Sequence, residues 1–187
     1  QASIVTMDKK STVLHVESVR DFEPIKPVIR LFVGCLKGEK LSLVTQKVTE
    51  LGIDEIGFFN SQHSVAMKSE SFLEKIHRTL VESLRQSGNP FLPKASFYKK
   101  LDDIPLVSDQ NNWSVVLDET ETQPFATLKE AKPRSVSLFV GPEGGFSAQE
   151  RVFFREKNCK FIRIAPYVLK ADTAAISAVS LFRASFA

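Results

Sequence analysis

Two short stretches hold the residues whose types and spacing could do chemistry. Gly141-Pro142-Glu143-Gly144-Gly145-Phe146-Ser147 sets glycines around a carboxylate. Glycine allows positive φ and lets backbone amides come close to a bound group. The spacing is neither GxGxxG nor GxxxxGK[ST], so the stretch carries no dinucleotide or nucleoside-triphosphate fingerprint. Ser147 and Glu150 give the Ser-x-x-Glu pattern of a capping box, which opens a helix. The second stretch, Ala165-Pro166-Tyr167-Val168-Leu169-Lys170-Ala171-Asp172, brings a cation and a carboxylate ahead of the small residues Thr173-Ala174-Ala175. Asp172 or Thr173 is placed to cap the helix that follows. Taken singly, each stretch also reads as ordinary structure: a tight capped turn in one case, plain helix packing beside an exposed lysine in the other.

The surrounding pattern supplies strands and helices to position these loops. Val28–Val33, Ile53–Phe59, Trp113–Leu117, Val136–Val140 and Phe161–Ile164 read as strands. Between them, helices are expected over Gly38–Leu51, Ser69–Gln86 and Ser147–Lys157, with a short one near Phe125–Glu130 and a final one over Thr173–Phe186. Phe97-Tyr98 and Ile104–Val107 fall in a looser region. Alternating strands and helices predict an α/β fold with a mostly parallel sheet flanked by helices. In such sheets ligands bind beyond the carboxyl ends of the strands, which is where both loops fall. Upstream, Ser11–Val19 reads as strand after a turn at Asp8-Lys9-Lys10, and Pro24 and Pro27 mark a boundary.

Leu138-Phe139-Val140-Gly141-Pro142-Glu143-Gly144-Gly145-Phe146-Ser147-Ala148-Gln149-Glu150, followed by Tyr167-Val168-Leu169-Lys170-Ala171-Asp172-Thr173-Ala174-Ala175, resembles the RsmE family. Gln46-Lys47-Val48-Thr49-Glu50-Leu51-Gly52-Ile53 is similar to its upstream helix end, and Ser61-Gln62-His63-Ser64-Val65 and Arg85-Gln86-Ser87-Gly88 lie where it has further signatures. That family methylates N3 of a uridine in bacterial 16S ribosomal RNA and belongs to the SPOUT class of knotted methyltransferases. The likeness runs from about Val28 to Phe186.

The resemblance implies a SPOUT-like domain over residues 27–187 with a C-terminal trefoil knot, preceded at 1–26 by a short β remnant of a PUA-like barrel. It implies S-adenosyl-L-methionine as cofactor, held by Leu117, Val140, Gly141, Glu143, Gly144, Gly145, Ile164, Ala165, Val168, Leu169, Thr173 and Ala174. Methyl transfer is a positioning problem, and the N3 proton must also leave. On this reading Lys170 steadies the uracil or its phosphate, while Asp172 or Glu143 assists proton removal. His63, Lys68, Arg78, Arg85 and Lys170 are the candidate RNA contacts, although such cations also read as a solvated helix face. The implied partners are 16S ribosomal RNA or the small subunit, and a second copy in a homodimer. Lys170 and His63 stand where the family carries arginine, Asp172 and Arg85 where it carries glutamate. A fold-keeping RNA binder without catalysis, or a relative with another RNA target, is the alternative.

Composition sets outer limits. With 187 residues, 43% hydrophobic and 25% charged, the chain suits one domain with a small appendage rather than extensive disorder. A net charge of +3 permits contact with a polyanion without requiring it. Cys35 and Cys159 lack metal-site spacing and read as free thiols of a reducing cytosol, and His15, His63 and His77 make no ligand set, so no metal is expected. No apolar run approaches the roughly 18 residues of a membrane span. The start at Gln1 shows no signal peptide and suggests a piece of a longer polypeptide.

Overall fold

The computed structural model describes residues 1–121, 123–128 and 132–186. β1 (Ala2–Met7) and β2 (Thr12–Val16) form an antiparallel hairpin. Asp8 closes its turn, accepting from the amides of Lys10 and Ser11 at 2.6 and 2.7 Å. Every residue of both strands is exposed, Ile4, Val5, Leu14 and Val16 among them. A hairpin alone buries too little surface to be stable, and none of the described residues covers this one.

β3 (Val28–Gly34), β4 (Glu55–Phe59), β5 (Lys94–Tyr98), β6 (Asn112–Leu117), β7 (Ser135–Val140) and β8 (Lys160–Ile162) make a parallel sheet in the order β5-β4-β3-β7-β6-β8. Its two faces have different covers. Ile29, Leu31, Val33, Ile56, Phe58, Val115, Leu138 and Val140 meet α1 (Lys40–Glu50), α2 (Leu73–Ser87) and α4 (Ala171–Phe186) through Val44, Val48, Ile76, Leu80, Ala175, Val179 and Phe182. Phe32, Phe59, Val116, Phe139 and Phe161 meet α3 (Ala148–Glu156) through Phe154. Burial on both faces accounts for strands that read as continuous apolar runs rather than as alternating ones.

The expected elements are present with shifted ends. Phe97-Tyr98, read as loose, closes edge strand β5; Lys94-Ala95-Ser96 lacks the β-branched residues that mark a strand, and the edge is held by parallel pairing to β4. The helix expected from Ser69 begins as a 3₁₀ turn at Glu70–Phe72 before α2 proper. Gly88 ends α2 in the left-handed conformation (φ 71°), its amide bonded to the Leu84 carbonyl at 2.9 Å. The short helix near 125–130 is a 3₁₀ turn at Phe125–Leu128, and its last two positions lie outside the described residues. α4 starts at Ala171, so neither Asp172 nor Thr173 is its cap: the Lys170 carbonyl accepts from the Ala174 amide at 2.8 Å, and Asp172 lies within the first turn.

Candidate functional site

Because the strands run parallel, their carboxyl ends share one edge of the sheet. β6 lies between β7 and β8, so the loops that follow those two strands rise on either side of it. They meet there. Val140, Gly141, Pro142, Glu143, Gly145 and Phe146 from one, and Val168, Leu169, Lys170, Ala171 and Ala174 from the other, line a cleft of about 420 Å³ open to solvent, with Lys40 at its side. A smaller hollow adjoins it, walled by Leu117, Ile162, Ile164, Ala165, Tyr167, Leu169 and Ala174.

Close packing shapes the first loop. The Gly145 amide donates to the Pro142 carbonyl at 2.9 Å with Gly145 at φ 67°, closing a tight turn that a side chain would strain. A Cβ on Gly141 would lie 3.1 Å from the Gly145 carbonyl carbon, and one on Gly34, at the end of β3, 2.7 Å from Pro142 Cδ. The loop therefore folds on itself and sits directly on β3. Downstream the capping box forms as its sequence indicates: Ser147 Oγ accepts from Glu150 N at 3.1 Å, and Glu150 Oε2 accepts from Ser147 N at 2.8 Å. Glu150 Oε1 also accepts from Gln62 N at 3.1 Å, and His63 Nδ1 lies 3.0 Å from the Gly144 carbonyl oxygen. The segment around Ser61–Ser64 thus braces the loop from outside.

Charges are sorted across the cleft. Glu143 accepts from Lys40 Nζ at 2.7 Å and from the Lys37 amide at 3.2 Å. Burial works to raise its pKa, but these donors prevail and hold the carboxyl below the usual glutamate range. The same contact raises the Lys40 ammonium. Asp118, 3% exposed just beyond β6, accepts from Arg151 Nε at 2.5 Å and from the Thr120 amide at 2.9 Å. Burial opposes its ionisation, yet the guanidinium and Thr120 keep its carboxyl below the ordinary aspartate range. Asp172 Oδ1 is buried without a partner among the described residues, and Asp172 adds to the field that raises Lys40.

The structure brings most of the expected ligand-binding residues together. Val140, Gly141, Glu143, Gly145, Val168, Leu169, Lys170 and Ala174 line the larger cleft, Ile164 and Ala165 the smaller, and Leu117 both. Gly144 lies instead against His63, with room for a Cβ only 3.0 Å from His63 Cβ. Thr173 is exposed on α4, and neither it nor Asp172 is in the cleft lining. His63 is on the outer side of the loop, and Lys68 is tied through its backbone to the Asn60 side chain at 2.9 and 3.0 Å. Arg78 and Arg85 are exposed on α2 and form no ion pair among the described residues.

Three participants were not apparent from sequence: Lys40, Glu119 and Gly34. Glu119 obeys the rule that located the two loops, since it stands just beyond the carboxyl end of β6. Lys40 precedes Glu143 by 103 residues, and no local pattern joins them. Cys35 and Cys159 are free thiols, each raised by burial to about 11, and no metal-binding group occurs among the described residues.

Residues 23–183 match the family described as RNA methyltransferase domain. A protein of Borreliella burgdorferi named ribosomal RNA small subunit methyltransferase E 2 is 32% identical over 166 residues, covering 83% of this chain and 65% of that protein. Ribosomal RNA small subunit methyltransferase E of Aquifex aeolicus is 34% identical over 146 residues, 75% of this chain and 61% of that one. The chain thus spans less than two thirds of either relative's length. Among solved structures, a methyltransferase of Legionella pneumophila in complex with its cofactor SAM superposes with a TM-score of 0.88 at 25% identity, over 99% of this chain and 78% of that one.

Proposed function

The chain belongs to the RNA methyltransferase family, as a member of its RsmE group, and from that premise we propose that it transfers the methyl group of S-adenosyl-L-methionine to N3 of a uridine in 16S ribosomal RNA. The observation that carries this reading is the meeting of the 141–147 and 163–170 loops in one cleft at the carboxyl edge of the sheet. The residues present fit the cofactor. An apolar hollow of Leu117, Ile162, Ile164 and Leu169 suits a purine, and the adjoining cleft offers Lys40 and Glu143 to a zwitterionic amino-acid tail. Gly141 and Gly145 leave the backbone bare where a ligand must come close.

When bound, S-adenosylmethionine supplies an electrophilic methyl group on a sulfonium. The protein's task is then to place a nucleophilic nitrogen in line and to take its proton. Lys170, exposed on the cleft rim, holds the uracil oxygen or an RNA phosphate. Glu143 is already satisfied by Lys40 and Lys37 and is a weak base; it anchors the loop. Asp172, whose unpartnered Oδ1 is buried behind the cleft wall between Lys170 and Ala174, acts on the N3 proton through a group it holds rather than by touching the base itself. RNA reaches the cleft along a surface bearing His63, Lys68, Arg78 and Arg85.

The same reading extends to architecture. After edge strand β8 the chain returns to pack α4 against α1, β3 and β7, a crossing consistent with a knotted C-terminus. Tyr167 and Val168, 84% and 77% exposed beside the cleft, suit the interface of a homodimer. The test is nucleoside mass spectrometry of ribosomal RNA from cells with and without the protein. 3-Methyluridine present only with the protein supports the proposal; an unchanged nucleoside profile opposes it.

A further inference from the structure

β6 points its end at the seam between the two cavities, and the two carboxylates just beyond it have different fates. Asp118 is spent on Arg151 and Thr120. Glu119 lines both cavities, and its Oε1 lies 3.5 Å from the position a Cβ on Gly145 would take. Among the described residues it forms no hydrogen bond and no ion pair, and the nearby Arg151 is committed to Asp118. An ionised acceptor with both oxygens open therefore stands between an apolar hollow and a charged cleft.

We propose that Glu119 is the acceptor for a vicinal diol, the ribose 2′- and 3′-hydroxyls of the adenosine-derived cofactor. The assignment rests on the cofactor reading above. In such a ligand the ribose is the segment between the apolar purine and the charged tail, so it falls at the seam where Glu119 stands. A carboxylate accepts two hydroxyl donors at once, as acidic residues do for ribose in other nucleotide sites. Of the remaining cleft charges, Lys40 fits the tail's carboxylate. Glu119 thereby selects ribose over deoxyribose in the cofactor.

Titration calorimetry of the full chain tests this, using S-adenosylhomocysteine and its 2′-deoxy analogue with wild type, Glu119→Ala and Glu119→Gln. Wild type is expected to prefer the hydroxylated ligand by about tenfold or more, the worth of a hydrogen bond to a charged group. Glu119→Ala should bind S-adenosylhomocysteine at least about tenfold more weakly and lose that preference, with Glu119→Gln intermediate. Equal affinity in Glu119→Ala and wild type overturns the assignment, and so does weaker binding that keeps the full preference, since the carboxylate would then serve the ammonium tail. If Glu119→Ala does not fold, Glu119→Gln decides by the same comparison. Wild type that binds neither ligand refutes the cofactor reading and this assignment with it.

Discussion

Lys40 Nζ lies 2.7 Å from Glu143 Oε1, which fastens the first turn of α1 to the middle of the glycine-rich loop after β7. The pair is partly exposed, with 35% and 28% of the side chains accessible, so its value to global stability is small. Its consequence is local: it fixes the loop's carboxylate and leaves a cation in the cleft.

Lys40→Met should therefore leave the melting temperature nearly unchanged while weakening S-adenosylhomocysteine binding by about tenfold, the scale of one charge-assisted hydrogen bond. Differential scanning fluorimetry and calorimetry on the same samples separate the two effects. The pH profile adds a sign. Glu143 is depressed in the folded protein, so the contact is intact above the ordinary glutamate range of about 4.3 and fails as pH falls through the lower folded value. Binding by wild type should hold from neutral pH down through the ordinary range, whereas in Lys40→Met any pH-dependent loss should begin higher.

Gly34→Ala should disturb the site from β3. The added methyl would meet Pro142 Cδ at 2.7 Å and Pro142 N at 2.8 Å. Backbone cannot yield as a flexible side chain does, so the cost should be about 1–3 kcal/mol. Urea unfolding measures that cost, and calorimetry should show a loss of cofactor affinity through displacement of the loop.

Arg151→Ala strands Asp118, which is 3% exposed. Removing one partner of a buried pair costs about 3 kcal/mol or more. Asp118 is depressed in the folded state, so its contribution is present above the ordinary aspartate range and disappears as pH falls through the lower folded value. The difference between wild type and Arg151→Ala in urea midpoints should accordingly be largest near neutral pH and narrow in acid.

Arg183→Leu should destabilise the chain without touching the cleft. Arg183 donates to the carbonyls of Pro27 at 3.0 Å and of Gly52, and contacts Asp54 Oδ2, which itself accepts from Ile29 N at 2.7 Å. One side chain of α4 thus joins the entry to β3 and the turn before β4. Its loss leaves two part-buried carbonyls without this donor, a cost of about 1–3 kcal/mol by urea denaturation.

Arg78→Ala with Arg85→Ala should reduce RNA affinity and flatten its dependence on salt, by a slope of about 1–2 in log K against log salt. Cofactor affinity should be unchanged. An unaltered slope would make these arginines a solvated helix face.

Much of this was readable before the structure, for physical reasons. Val28–Val33 and Val136–Val140 are apolar but for Arg30 and Ser137 because both faces of a parallel sheet are covered, and Ser147 marks a helix start through local backbone chemistry. The site was legible as two loops because glycines and caps are local signals. What joins them is not local. The Lys40–Glu143 contact and the intrusion of Pro142 on Gly34 follow from β3 lying beside β7, and the position of Glu119 at the seam from β6 lying between β7 and β8. β5 was missed because an edge strand can be held by its neighbour's ladder without a strand-like composition. The N-terminal hairpin was recognised, but its exposed faces hold no information about what covers them.

The most direct test of the central claim is a crystal structure of the protein with S-adenosylhomocysteine. The ligand is expected over the end of β6, purine in the hollow of Leu117 and Ile164, tail toward Lys40, touching both the 141–145 and 164–169 backbones. A ligand bound elsewhere, or on one loop alone, contradicts the account.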